Sequence, residues 1–205
     1  MKVTRIVYIC LVSFAVFSTV SGKPSVRTSE ICQDPMPVSN FNYTTFFGRW
    51  FEIGKIQTPG GAAFQKGCQC TTADHSKSSK PDAEPSNVDT VFGCRKWWPK
   101  GLLVKTKVAL TNMNPPGNYT ETYFPNIPLI SFDQKFTVLK RGFDSQNNEY
   151  TVTYDCSGQE YCIHFMGRQP TIDDTTLEML INEVIKMGLN PLNIGFERVK
   201  QARCW

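Results

Sequence analysis

From residue 48 onward the chain alternates between short stretches rich in Val, Thr, Phe, Tyr and Ile and clusters of turn-forming residues. The stretches are 48–57, 66–74, 87–97, 101–112, 119–124, 130–140, 149–156 and 161–167. Between them lie Pro59-Gly60-Gly61, Ser76 to Ser86, Trp98-Pro99-Lys100-Gly101, Asn114-Pro115-Pro116-Gly117, Pro125 to Pro128 and Asp144 to Asn148. Strands at this spacing predict a sandwich or a barrel. The period then changes. Leu177, Leu180, Ile181, Val184 and Ile185 recur at helical spacing and form one apolar face. Thr171, ahead of Asp173 and Asp174, reads as the cap of that helix, and Gly188 after Lys186 as its stop. A short closing strand over about 193–200 follows. Residues 23–47, with Pro24, Pro35 and Pro37, read as an extended arm.

The first residues do not belong to this pattern. Lys2 and Arg5 precede an apolar run from Ile6 to Val20, and Val20-Ser21-Gly22 supplies small residues at a cleavage point. The run is too short to span a bilayer, so 1–22 reads as a secretory signal peptide and 23–205 as one domain of ordinary size. No later segment is long and apolar enough to cross a membrane, which argues against integral membrane association. Cleavage would remove two bases and no acid from a net charge of +4. So small a charge, spread along the chain, argues against nucleic acid as a partner.

In a secreted chain Cys32, Cys68, Cys70, Cys94, Cys156, Cys162 and Cys204 read as disulfides plus one leftover thiol. Cys68-Gln69-Cys70 is too tight for the usual zinc pair, and no second pair completes a site, so no metal is predicted. Asn42-Tyr43-Thr44 and Asn118-Tyr119-Thr120 are acceptor triplets for N-glycosylation.

The most informative motif is Gly48-Arg49-Trp50-Phe51-Glu52-Ile53-Gly54 at the head of the first strand. Gly48 permits a backbone bend where a side chain would obstruct close approach, and Trp50 can plug one end of a barrel. Together with Cys32-Gln33-Asp34-Pro35, Arg168-Gln169-Pro170 and a late Cys204, it resembles the lipocalin family, nearest to its apolipoprotein D-like and invertebrate bilin-binding branches. The resemblance covers the whole mature length. It implies an all-β fold: an eight-stranded antiparallel up-and-down barrel with one C-terminal α-helix packed outside. It implies that Arg168 lies over the Trp50 indole as a cation–π contact, closing the floor without touching ligand. It also implies the disulfides Cys32–Cys156 and Cys70–Cys204, with Cys68 as a substitute for Cys70. Cys68 with Cys94 is a less favoured pairing, and Cys162 is then the odd one out. One departure stands out. Where lipocalins often carry Thr-Asp-Tyr, this chain reads Arg141-Gly142-Phe143-Asp144, so that turn does not carry over.

Such a barrel holds one small ligand in a mainly apolar pocket with a few polar groups. Phe124, Phe132 and Trp97 are the candidates for its wall or rim. Glu52, in phase with Trp50, should point inward and needs a partner: a polar group of the ligand, or a Lys, Tyr or water. His164 shares a strand face with Cys162 and Met166. An inward His could ligate haem, although a lone His is more often simply packed. The favoured function is a secreted carrier of a small hydrophobic ligand such as a lipid, sterol, retinoid or tetrapyrrole, with no cofactor required. The alternatives are an inhibitory or receptor-binding lipocalin acting through the loop at 76–86, or a thiol-dependent isomerase of the prostaglandin D synthase type using Cys68 or Cys162. Apolar burial is weakly selective, so neither the ligand nor the oligomeric state is written in the sequence.

Overall fold

The structure, a computed structural model, describes residues 31–59, 67–97 and 101–204. The signal peptide expected at 1–22 and the first part of the arm lie outside the described residues. The strands are β1 (Gly48–Gln57), β2 (Gln69–Lys77), β3 (Val88–Arg95), β4 (Leu103–Met113), β5 (Asn118–Tyr123), β6 (Phe132–Phe143), β7 (Glu149–Ser157), β8 (Glu160–Gly167) and the two-residue β9 (Glu197–Arg198). One helix, α1 (Asp174–Lys186), precedes β9. Each of β2 to β7 pairs antiparallel with the next, β8 pairs with β1, and β1 returns to β2 and also pairs with β9. The β1–β2 pairing closes the sheet into the barrel that the sequence implied.

Two apolar clusters follow from the pleat, because successive side chains alternate between its faces. The inner cluster holds Trp50, Ala73, Val88, Phe92, Val108, Leu110, Tyr119, Tyr123, Phe136, Val138 and Met166, capped by Phe46 from the arm. The outer cluster lies between the sheet and α1. Ile53, Ile56, Leu139, Val152, Tyr154, Ile163 and Phe165 from the sheet meet Leu177, Leu180 and Val184 from the helix. The apolar stripe read from the sequence is therefore the face that α1 buries. Ile185, counted in that stripe, is nearly half exposed at its edge.

Local details differ from expectation. The cap of α1 is Asp173, whose carboxylate accepts from the Thr176 N–H, rather than Thr171. Asp173 is nearer the first turn, and a charged acceptor suits the positive end of the helix. The arm is not wholly extended. Asn42 caps a 3-10 turn over Tyr43–Phe46, which carries Phe46 into the barrel.

Three disulfides join Cys32 to Cys156, Cys68 to Cys94 and Cys70 to Cys204. The first and third are those implied by the family resemblance. The second was the less favoured pairing. Its reason is a register shift in β2 between Gln69 and Thr72, where Cys70 takes a left-handed backbone conformation (φ 56°). The shift breaks the alternation that would set Cys68 and Cys70 on one face, so each finds a different partner. Cys162 is the free cysteine among the described residues, and it is buried.

Candidate ligand-binding interior

The floor is built on Trp50. Its indole is fully buried and donates from Nε1 to the Phe46 carbonyl at 2.8 Å. The Arg168 guanidinium lies over the ring, with Cζ 3.8 Å from the centroid, and Arg141 adds a second cation at 5.7 Å. Arg168 also donates to the carbonyls of Arg49, Thr45 and Phe47 at 2.8 to 2.9 Å and to Glu149 at 3.1 Å. One planar fork thus ties the end of β8 to the head of β1 and the arm. Gly48 is needed beside it: its φ is +95°, and a Cβ there would sit 3.2 Å from the Arg168 Nη1. Arg141, in the stretch that departs from the family pattern, was not foreseen as a floor residue.

His75, also in the floor, stacks on Phe46 with ring centroids 4.2 Å apart, and its Nδ1 is 2.7 Å from the Thr90 hydroxyl. Burial, helped by the nearby charge of Arg168, lowers its pKa to about 3. A His held neutral in the fold but protonated when unfolded costs stability in acid. That cost is absent above about pH 6.5 and grows as pH falls toward about 3. We expect a loss of a few kcal/mol across that window, and a His75→Gln variant whose urea midpoint falls less steeply over the same range.

Above the floor one wall of the interior is polar. Glu52 on β1 and His164 on β8 meet at 2.5 Å through Oε1 and Nδ1. The other ring nitrogen of His164 lies 3.0 Å from Asp155 Oδ1 on β7. The Gln134 amide donates to Asp155 Oδ2 at 3.0 Å and to Glu121 Oε2 at 2.6 Å. Lys55 also turns inward, because a register shift between Glu52 and Gly54 sets it opposite His164. Burial opposes charge on His164, but the acidic groups around the ring, Cys162 and Asp155, outweigh it and hold its pKa well above the ordinary value. Burial likewise opposes charge on Glu52, and the hydrogen bond from His164 reverses it, so the carboxyl stays ionised. Glu121 goes the other way: burial and the charge of Asp155 push it up to about 8. Burial also raises the Cys162 thiol to about 11.

Glu52 therefore has the inward position that alternation predicted, and its partner is a histidine, which was not among those expected. His164 points inward too, with the Glu52 and Asp155 carboxylates beside its two ring nitrogens. Sequence reasoning missed Glu121, Asp155 and Gln134. Each lies in phase with an inward aromatic residue, Tyr119 and Tyr123 on β5 and Phe136 on β6, or opposite one in register.

No family model matches the chain. Mouse (Mus musculus) apolipoprotein D is 24% identical over 166 residues, covering 78% of this chain and 77% of the relative. The Lazarillo protein of Schistocerca americana is 22% identical over 171 residues, 82% of this chain and 66% of that protein. Among solved structures, insecticyanin from the tobacco hornworm Manduca sexta superposes with a TM-score of 0.58 at 18% identity, over 84% of this chain and 88% of its own. Lobster apocrustacyanin A1 gives 0.56 at 14% identity, over 78% and 80%. The fold is that of a lipocalin. Sequence relatives and structural neighbours both fall in that family.

In lipocalin terms, Trp50 and Arg168 lie at the closed end, and the turns after β3 and β5 lie at the mouth. Phe124 follows β5, half-buried, and Phe132 opens β6 stacked on Tyr123 at 4.8 Å. Both are at the rim. Trp97 lies past the end of β3, at the mouth. The chain turns there with φ 57° and leaves the indole 79% exposed. Other exposed apolar side chains share the mouth: Leu102 before β4, and Ile127, Leu129 and Ile130 between β5 and β6. A groove of about 580 Å³ lies outside the lipocalin barrel, between α1 and β6, lined by Leu139, Val152, Leu180 and Val184 and crossed by a Lys140–Glu183 ion pair. Asn42 is exposed on its 3-10 turn, whereas Asn118 is half-buried at the start of β5. Among the described residues no helix is long and apolar enough to cross a membrane.

Proposed function

We propose that this protein is a secreted carrier that holds a small hydrophobic ligand, a lipid, sterol, retinoid or tetrapyrrole, inside its barrel. The supporting observation is the contrast between the two ends. One is sealed by Trp50 beneath Arg168, and the other is rimmed by exposed Leu102, Ile127, Leu129 and Ile130. Between them stand the inward apolar side chains Phe92, Val108, Tyr119 and Phe136. An apolar molecule entering at such a rim leaves water as it passes inward, and area burial alone gives it affinity of about 25 cal/mol per Å2 before immobilisation is subtracted. The polar wall would meet whatever polar end the ligand has, with Glu52, Phe124 and Phe132 as the contacts argued from the sequence. In this reading residues 1–22 are removed on secretion, 23–205 form the carrier domain, and Asn42 and Asn118 carry N-glycans.

An isomerase reading needs a thiolate, and Cys162, held at about 11, remains a protonated thiol at neutral pH. Cys68 is bonded to Cys94. A carrier needs neither.

Titration of the native protein with a panel of fatty acid, sterol, retinol and biliverdin, followed by tryptophan fluorescence, tests the proposal. We expect saturable quenching at one ligand per chain for at least one member. No quenching across the panel, with no cargo in native mass spectra of protein from its own source, would reject it.

A further inference from the structure

We propose that Asp155, Cys162 and His164 form a site inside the barrel for a divalent transition metal of the zinc type. Asp155 on β7 stands directly opposite Cys162 on β8 in the ladder, and His164 is two residues further along β8 on the same face. One donor atom from each, a carboxylate oxygen, a sulfur and an imidazole nitrogen, lies within 4.8 Å of the other two. All three side chains are buried. Carboxylate, thiolate and imidazole together are the donor set of a borderline cation, whereas calcium or magnesium would call for oxygen alone.

Two further observations point to a ligand at this place. Asp155 Oδ1 and Glu52 Oε2 are buried oxygens with no hydrogen-bond partner. The first forms an ion pair with His164 Nε2 at 3.0 Å, the nitrogen that would share the cation with it. The surroundings also resemble the outer shell that metal ligands need. Glu52 Oε1 holds the Nδ1 side of the imidazole at 2.5 Å, and the Gln134 amide holds the far oxygen of Asp155 at 3.0 Å. Glu52 is thus a positioning residue for His164. Disulfides engage the other described cysteines, and Cys162 alone keeps its sulfur, beside the two other ligands. Binding displaces the thiol proton and the imidazolium proton to solvent, and the two charges of the cation replace them. A coordinated thiol gives up its proton even where burial alone would keep it.

The test is cobalt(II) titration of the full mature protein with its disulfides intact, read by absorption. We expect one tight equivalent of cobalt(II), a near-ultraviolet thiolate-to-cobalt charge-transfer band, and loss of that band when zinc(II) is added. Cys162→Ser should abolish the band. Glu52→Gln should keep it while weakening binding about 10–100-fold, as loss of an outer-shell carboxylate does. Circular dichroism of each variant confirms folding, and should Cys162→Ser not fold, the wild-type spectrum decides. Absence of the band in the wild type, cobalt uptake without sulfur character, or a band that persists in folded Cys162→Ser overturns the proposal. None of these readouts depends on cargo binding, so failure here leaves the carrier reading standing.

Discussion

Trp50→Ala should destabilise the protein by about 3–5 kcal/mol, the range for removing a fully buried large aromatic side chain. The indole is 0% exposed, and three kinds of contact meet on it. Removing it leaves a void in the floor beside Phe46, whose ring centroid is 5.9 Å from the indole. It frees the Phe46 carbonyl from its 2.8 Å bond to Nε1. It also leaves the Arg168 and Arg141 guanidinium groups without the ring face they cover. Trp50→Phe retains most of the apolar area and loses the N–H donor, so a smaller loss of about 1–2 kcal/mol is expected. Urea unfolding followed by far-ultraviolet circular dichroism measures both. A loss under about 1 kcal/mol for the alanine variant would mean that the floor does not hold the barrel together.

The second large effect concerns the C-terminal tail. β1 and β2 close the barrel over a short register, Gly48 to Phe51 against Thr72 to His75. Past that register the tail spans the seam. The Val199 N–H donates to Ile53 O at 2.9 Å, the Cys70 N–H to Lys200 O at 2.8 Å, and the Gln201 amide to the carbonyls of Glu52 and Thr71, both at 2.8 Å. Cys70–Cys204 fastens this strap and closes a loop of sequence separation 134. In the chain-entropy account a loop of that length is worth about 5 kcal/mol. The double variant Cys70→Ser, Cys204→Ser should therefore lose about that much, and the strap with it. Cys68–Cys94 closes a loop of separation 26 between strands that are already paired, and its removal should cost less, about 3–4 kcal/mol. Guanidinium midpoints of the two double variants give the order directly. An inverted order would show that the tail contributes nothing at the seam.

Much of this architecture could be read before any coordinates. The spacing of Val- and Tyr-rich stretches against Gly- and Pro-rich breaks located the strands, and ends moved by a few residues at most: β2 continues to Lys77, and β6 to Phe143. Leu177, Leu180 and Val184 announced the helix and the face it buries. Gly48, Trp50 and Arg168 carried the floor because each has a chemical reason for its identity: a positive φ, a large ring and a planar cation. The rim was legible only in part. Phe124 and Phe132 flank the turn after β5, and Trp97 turns out to solvent, because a left-handed turn residue departs from the strand alternation.

What the sequence by itself determined is the order of elements, the closure of one end, and the arm and tail disulfides carried by family resemblance. What only the tertiary structure decided is the polar wall. Alternation says that Cys162, His164 and Met166 share a face, yet not which face. Both faces of β7 and β8 are buried, one by the barrel and one by α1, so no exposed polar row marks the outside. Glu52 and His164 are 112 residues apart, and only barrel closure brings them to 2.5 Å. Likewise one extra residue in β2 sends Cys68 to Cys94, because a slip of one position exchanges the two faces of a strand.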